Sequence, residues 1–135
     1  MKCRCVVCDI VDNRIPSWII FQNEQTICFL PKEMDAYGHT LIAPKAHYAD
    51  LYAASEEILG PILATVQKLA LSYRQRLGAV GFNLLHASGA AAQQSVFHLH
   101  FHLIPRFEQD GLNAWPPLLP AQYDKEEVWQ KLRFQ

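Results

Sequence analysis

The stretch FHLHFHLIPR, residues 97–106, alternates histidines with large apolar residues. His98, His100 and His102 are three of only six histidines among 135 residues. Residues two apart in a β-strand point to the same side, so the pattern predicts a strand with one histidine face. Four large apolar residues occupy the other face: Phe97, Leu99, Phe101 and Leu103. We expect that face to be buried against a helix and the histidine face to be left for solvent or ligand.

The three histidines of a strand are too far apart to bind one metal ion together, so we expect them to have different roles. Along a strand the outer two lie about 13 Å apart, whereas zinc holds nitrogen ligands at about 2.0 to 2.1 Å. A neutral imidazole is a good nucleophile toward phosphorus and, once phosphorylated, a good leaving group. The small-residue loop ASGAAAQQS, residues 87–95, can offer donors to phosphate oxygens. The pattern therefore predicts chemistry on a phosphate.

Three β-prone runs and one helical run precede this stretch. QTICFLP (25–31) and GHTLIAPK (38–45) predict an antiparallel strand pair, and GFNLLH (81–86) predicts a third strand. Between the second and third of these runs, apolar residues recur at helical spacing: Ile58, Ile62, Val66, Leu69, Tyr73 and Leu77. Ser55 fits the N-cap of this helix and Gly78 its C-cap.

The segment after the histidines is rich in proline and predicts no second core. Asp124, with Glu127 three residues on, resembles a capping box that opens a short terminal helix. We therefore expect one domain over residues 1–135, with its core at about 5–106 and a Pro-rich extension with the C-terminal helix over 107–135.

Composition narrows the partners and the location. Lys and Arg number 12 against 13 Asp and Glu, and no basic run forms a footprint for nucleic acid. The start, MKCRCVVCDI, is polar where a secretory signal would be apolar, and no stretch approaches the roughly 20 apolar residues of a membrane span. We expect a cytoplasmic protein that engages neither nucleic acid nor a membrane.

A cysteine cluster opens the chain. In a reducing compartment Cys5 and Cys8 are better interpreted as half of a zinc site than as a disulfide, although simple reduced thiols are the alternative. Cys3 competes with Cys5 for that role. Cys28 lies in a predicted strand and is expected to be a small core residue.

The triad stretch resembles the His-x-His-x-His-x-x signature of the histidine triad superfamily of nucleotide hydrolases and transferases. CVVCDIVDNRIPSWIIF, GHTLIAPKAH and QSVFHLHFHLIPR resemble successive blocks of that family, with a weaker likeness at 115–117. The resemblance implies an α+β fold, with an antiparallel sheet of about four to five strands, one long helix and a short C-terminal helix. It also implies a homodimer that cleaves at a nucleotide's α-phosphate.

The same resemblance implies roles for individual residues. His100 is the nucleophile, with His102 and His39 as supporting histidines. The implied phosphate contacts and the residues near the nucleoside slot are Gln94, Ser95, Ile10 and Phe29. Ile10 and Phe29 can equally be ordinary core residues. Certain members of the family complete a structural zinc site with residues that correspond to Cys5, Cys8, His47 and His98, and catalysis itself requires no cofactor.

Three positions depart from the family pattern. Pro31 stands where many members carry an acidic residue for the ribose, and Ala87 and Gln93 stand where many carry Asn and Gly. Asp35 or Glu33 can replace the acidic residue only if the loop 31–38 folds differently. These departures predict weak recognition of the sugar.

The expected function is hydrolysis of a nucleoside phosphoramidate-like substrate, such as an adenosine or guanosine monophosphate derivative, through a nucleotidyl-histidine on His100. A dinucleoside polyphosphate hydrolase is a second interpretation, because Pro105 and Arg106 after the triad resemble that branch of the superfamily. A zinc-stabilised nucleotide-binding module with little turnover is the third.

Overall fold

Five antiparallel strands form one sheet in the computed structural model, which describes residues 5–115 and 117–134. The elements follow in chain order: α1 (Val6–Val11), β1 (Ile19–Gln22), β2 (Thr26–Phe29), β3 (Thr40–Pro44), α2 (Glu56–Leu77), β4 (Gly81–Leu85), β5 (Phe101–Arg106) and α3 (Lys125–Leu132). A 3₁₀ turn, Ala90–Ala92, precedes β5. This is the α+β architecture that the sequence predicts.

The sheet has the order β1-β2-β3-β5-β4. The predicted antiparallel pair of β2 and β3 is confirmed, with Thr26 opposite Pro44. The sequence did not predict β1, because its residues are mostly exposed and show no alternation of apolar and polar side chains. β5 lies between β3 and β4, so the triad segment enters the middle of the sheet.

Helix α2 covers one face of the sheet. Its caps agree with the sequence, since the Ser55 side chain accepts from the Glu57 amide at 3.4 Å and Gly78 adopts the left-handed conformation with φ of 75°. The buried face of α2 packs against Leu99, Leu103 and Cys28. The core position of Cys28 is confirmed, and burial raises the pKa of its thiol to about 12.

Helix α1 belongs to a second apolar cluster. Val7 and Ile10 pack there with β2 and β3 residues: Ile27, Phe29 and Ala43. The helix has only six residues, too few for apolar periodicity to reveal it. Its N-cap is Cys5, whose sulfur accepts from the Cys8 amide at 3.3 Å. The capping interaction thus holds both cysteines of the Cys-x-x-Cys pair at the start of α1.

The triad segment is not a strand throughout, which corrects the sequence-based expectation. β5 begins at Phe101, and the chain bends at 96–98. The Leu99 amide bonds to the Tyr48 carbonyl at 2.7 Å, outside β3. His98 is therefore fully buried (0% exposed) rather than open to solvent, and Phe97 is 48% exposed rather than in the core. Leu99 and Leu103 are buried against α2 as predicted.

The loop before β3 approaches β5 closely at Gly38. Gly38 has φ of +79°, and a Cβ built there would lie 2.9 Å from Cγ of Pro105. Only glycine fits both the backbone conformation and the space. This contact sets the position of the next residue, His39, beside β5.

Helix α3 has the predicted N-cap, since the Asp124 carboxylate accepts from the Glu126 amide at 3.0 Å. Its residues are all exposed. Nowhere in 5–115 or 117–134 is there a helix of the length and apolarity needed to cross a membrane.

Candidate active site and metal centre

The six histidines separate into two groups. His47 and His98 lie against the cysteines of α1. The other four lie together around the start of β5: His39, His86, His100 and His102. The residues of the triad therefore contribute to two different sites.

The first group is a cluster of two cysteines and two histidines whose ligand atoms all lie within 4.8 Å of one another. His98 Nδ1 is 3.3 Å from Cys5 Sγ and 3.6 Å from Cys8 Sγ. His47 Nδ1 is 3.7 Å and 3.5 Å from the same two sulfurs, and the two nitrogens are 3.1 Å apart. Four ligand atoms thus converge on one point.

These separations fit a tetrahedral metal site. Zinc bonds of about 2.3 Å to sulfur and about 2.05 Å to nitrogen set neighbouring sulfur and nitrogen atoms about 3.6 Å apart and two nitrogens about 3.3 Å apart. His98 Nε2 donates to the Pro44 carbonyl at 2.8 Å, so its Nδ1 carries the lone pair that a metal needs. The donor set suits zinc. Cys3, the alternative ligand, lies outside the described residues.

A backbone contact determines which ring nitrogen of His100 carries the proton. Its Nδ1 lies 2.7 Å from the His98 carbonyl oxygen, which can only accept. The proton of a neutral imidazole must therefore reside on Nδ1, and Nε2 keeps its lone pair. His100 is half-buried and lines a cavity of about 820 Å³.

His39 and His102 form a direct pair, with 2.9 Å between His39 Nε2 and His102 Nδ1. His39 is buried, and its Nδ1 has no hydrogen-bond partner among the described residues. A buried N–H without an acceptor is costlier than a bare acceptor nitrogen. The favoured arrangement places the His39 proton on Nε2, where it donates to His102, and leaves His102 with a proton on its own Nε2.

The environment keeps this pair neutral. The pKa of His102 is lowered from 6.5 to about 4, chiefly by burial and to a smaller extent by the neighbouring His100 and His39. Burial also lowers the pKa of His39, against a smaller raising effect of the Asp35 carboxylate. At neutral pH both rings act as neutral donors and acceptors.

The cavity beside His100 has a volume of about 820 Å³, within the range typical of small-ligand sites. Ile10 and Phe29 line it, so these two residues belong both to the apolar cluster and to the cavity wall. Pro31 and Lys32 form part of the same wall. The lining is otherwise mainly apolar, which suits a nucleoside.

A second cavity, of about 390 Å³, lies on the side of His39 and His102. Asp35 lines this cavity and not the one beside His100, so the loop 31–38 does not bring it to the nucleoside side. Ala87 and Gln93, the other two departures, also line the second cavity. Gln93 adopts φ of 73°, the left-handed conformation that favours the glycine of other members.

Gln94 holds the loop before the triad. Its Oε1 accepts from the Gly89 amide at 2.7 Å, and its Nε2 donates to the carbonyls of Ala49 and Val96 at 2.7 and 3.0 Å. A phosphate contact by Gln94 stays a prediction and requires the exchange of one of these bonds. Ser95 is exposed, and its phosphate contact likewise stays a prediction.

Sequence reasoning missed three residues of this region. His86 bonds to the His100 carbonyl, while Trp18 and Lys32 line the cavity beside His100. The only available signal for His86 was its place at the end of a predicted strand. Trp18 and Lys32 follow no motif that marks a binding residue.

Comparison with known proteins identifies the family. The sequence profile described as HIT domain matches residues 12–109. The chain belongs to the histidine triad (HIT) family.

Three relatives show how far the likeness extends. An uncharacterised HIT-like protein of Saccharolobus solfataricus is 35% identical over 93% of this chain and 90% of its own. Adenosine 5′-monophosphoramidase of Candida albicans is 35% identical over 90% of this chain and 83% of its own. An adenylylsulfatase of Arabidopsis thaliana is 34% identical over 82% of this chain and 56% of its own. The family thus includes hydrolases of adenylyl compounds.

Solved structures agree with the fold. A HIT family protein from Bacillus anthracis is 35% identical, with a TM-score of 0.83 over 97% of this chain and 94% of its own. A zinc-bound histidine triad family protein from Mycobacterium smegmatis is 34% identical, with a TM-score of 0.78 over 93% of this chain and 88% of its own.

The lowered pKa of His102 predicts a loss of stability in acid. The unfolded chain takes up a proton near pH 6.5, but the folded chain resists until about pH 4, so the free energy of unfolding falls as the pH falls through this window. We expect His102 to account for about 1 to 3 kcal/mol of that fall. Urea unfolding at several pH values measures it. His102→Asn keeps an acceptor for His39 and should show a shallower slope, and equal slopes would contradict the assignment.

Proposed function

We propose that the protein hydrolyses nucleoside phosphoramidates, with His100 as the nucleophile that forms a nucleotidyl-histidine intermediate. The observation that carries the proposal is the 2.7 Å bond from His100 Nδ1 to the His98 carbonyl, which leaves Nε2 unprotonated at the edge of an apolar cavity. The phosphoramidase among its relatives supports the same reaction class.

In the first step His100 Nε2 attacks the α-phosphorus and the phosphorus–nitrogen bond to the leaving amine breaks. The amine departs with the electron pair of that bond and needs a proton. The departing nitrogen takes this proton from solvent, and His102 donates a hydrogen bond to it from Nε2 in the tautomer that its bond with His39 favours. His39 keeps its own Nε2 proton and so holds His102 in this tautomer.

In the second step a water molecule attacks the phosphorus and the bond to His100 breaks. The attacking water loses a proton to solvent, and His102 stays in its neutral tautomer. The nucleoside monophosphate leaves, and His100 recovers its lone pair. The wall formed by Ile10 and Phe29 holds the nucleoside during both steps.

The charges around the site favour an amine leaving group over a polyphosphate. Asp35 is the one charged side chain among the described residues that line the second cavity. Arg106 is committed elsewhere, because its guanidinium donates to both Asp110 oxygens at 2.8 Å and to Asn83 at 2.9 Å. A diadenosine polyphosphate would bring several negative charges to a cavity without a cation to match them.

A matched pair of substrates tests this charge selection. We expect an adenosine phosphoramidate of an alkyl diamine, with a free ammonium, to be cleaved about two- to fivefold faster than one of equal length that ends in a carboxylate. Asp35→Asn should remove the difference, and added salt should reduce it. Steady-state kcat/KM measures all of these. Faster cleavage of diadenosine tetraphosphate than of either amidate would favour the polyphosphate interpretation.

His100→Ala should lower kcat by about a thousandfold or more and leave nucleotide binding intact, because the variant removes the group that attacks phosphorus. Mass spectrometry of the wild-type protein, quenched during turnover without acid, should find a nucleotidyl group on His100. Wild-type protein that binds adenosine monophosphate but cleaves no amidate would support the third interpretation, a zinc-stabilised binding module.

We propose further that Cys5, Cys8, His47 and His98 hold a structural zinc ion. The tetrahedral spacing of their ligand atoms and the zinc-bound relative support it. All four coordination positions come from protein, so the ion contributes stability rather than an activated water. Thiolate ligands must stay reduced, which agrees with a cytoplasmic location.

Metal and catalysis should separate in two variants. Cys8→Ser should lose zinc and lower the melting temperature, because it removes a ligand that ties α1 to the triad segment. His100→Ala should retain about one zinc per chain, since its imidazole is not part of the cluster. Elemental analysis and thermal unfolding measure both. Retention of zinc by Cys8→Ser would contradict the ligand set.

We propose that two chains associate through β4 and α2. β4 is an edge strand, and the neighbouring surface carries exposed apolar residues: Leu63, Leu71, Val80 and Phe82. Identical edge strands can pair antiparallel about a two-fold axis, which satisfies their free backbone groups.

Phe82→Glu should convert the dimer to a monomer, because it places a charge in that interface. Ile20→Glu on the opposite edge is the matched control, since Phe82 is 48% and Ile20 40% exposed. Analytical ultracentrifugation of both variants shows which of them is a monomer. Dissociation by Ile20→Glu alone would move the interface to β1.

A further inference from the structure

His86 connects the loop before the triad to the backbone of His100. Its Nδ1 lies 2.9 Å from the His100 carbonyl oxygen, and because a carbonyl can only accept, Nδ1 carries the proton. Its Nε2 therefore accepts, and Ser88 Oγ lies 2.6 Å away as the donor. Ser88 Oγ in turn accepts from the Leu51 amide at 3.0 Å. The tautomer of His86 is thus fixed from both sides.

The His100 backbone needs such a contact because it lies beyond the paired part of β5. The β4 ladder ends where Leu85 faces His102, and the β3 ladder ends where Ile42 faces Phe101. The His86 ring also stacks on Phe101, with centroids 4.6 Å apart and planes at 29°. Side-chain contacts take over at the point where the strand pairing ends.

We propose that His86 is a positioning residue that fixes the peptide of His100 and thereby aims its Nε2 at phosphorus. The inference rests on the proposed function of His100 and assigns no contact between His86 and substrate. A displacement of about 1 Å at a reacting atom can reduce a rate about a hundredfold. His100 is sensitive to such displacement, since its ring is held by the bond to the His98 carbonyl and by an edge contact with the His102 ring.

Two substitutions at His86 distinguish the effect of its hydrogen-bond donor from the effect of its ring stacking. His86→Asn retains an N–H close to the place of Nδ1 but loses the stacking, and His86→Phe retains the stacking but loses the donor. Rapid-quench measurement of His100 nucleotidylation on an adenosine phosphoramidate reports the chemical step. We expect His86→Phe to lose about tenfold or more in this rate with KM within about threefold of wild type, and His86→Asn to recover most of the rate.

Ser88→Ala is the matched variant for the case in which His86→Phe does not fold. It leaves the ring and its donor in place but removes the hydroxyl that fixes the tautomer, so it should show a smaller loss in the same rate. An unchanged rate in His86→Phe, or an equal loss in His86→Asn and His86→Phe, would overturn the positioning role. Equal loss would mean that ring packing alone matters.

Nitrogen NMR of the His100 ring separates this inference from the proposed function. Wild type should show one tautomer with the proton on Nδ1, and His86→Phe should show a mixture of tautomers as the contact with the His98 carbonyl loosens. A single unchanged tautomer in His86→Phe would overturn the inference even if the enzyme is active. Wild type that cleaves no amidate would overturn the proposed function, and the ring spectra would still decide the role of His86.

Discussion

The departure of the chain from the sheet before Phe101 is the feature on which both sites depend. Same-side residues of a regular strand lie about 7 Å apart and face one environment. The chain bends at 96–98, and the Leu99 amide bonds to the Tyr48 carbonyl instead of to a neighbouring strand. His98 therefore does not belong to the regular strand that carries His102. His98 then turns into the protein toward the cysteines, while His100 and His102 stay with the cavities.

Hydrogen bonds to backbone carbonyls give His98 and His100 different tautomers, although the two side chains are chemically identical. The Pro44 carbonyl takes the Nε2 proton of His98, and the His98 carbonyl takes the Nδ1 proton of His100. The first leaves Nδ1 of His98 with its lone pair, as the proposed zinc site requires, and the second leaves Nε2 of His100 with its lone pair, as the proposed attack on phosphorus requires. The same residue, His98, thus links the cysteine and histidine cluster to the proposed nucleophile through its ring on one side and its carbonyl on the other.

The two cavities on either side of the histidines have different characters. The one beside His100 is apolar and large enough for a nucleoside, whereas the one beside His39 and His102 is smaller and carries the Asp35 carboxylate. Burial and the neighbouring histidines keep His102 neutral. This difference between the cavities is the basis of the proposed preference for a neutral or cationic leaving group. Ala87 and Gln93, two of the three departures noted in the sequence, line the smaller cavity.

The sequence by itself determined the elements that local patterns encode. The spacing from Ile58 to Leu77 predicted α2 with its caps, the runs around Cys28 and Ile42 predicted the strand pair, and the triad with the Cys-x-x-Cys pair predicted the family and the four cluster residues. These features repeat at the period of a helix or a strand, or match a motif, so neighbouring residues are enough to reveal them.

Only the tertiary structure decided which groups meet across the fold. The burial of His98, the bond of His86 to the His100 carbonyl and the commitment of Arg106 to Asp110 and Asn83 join residues that no period relates. Periodicity tells which side of an element a residue faces, but a hydrogen bond also depends on where another loop places its donor or acceptor. The tautomers, and hence the division of labour among the histidines, follow from that placement.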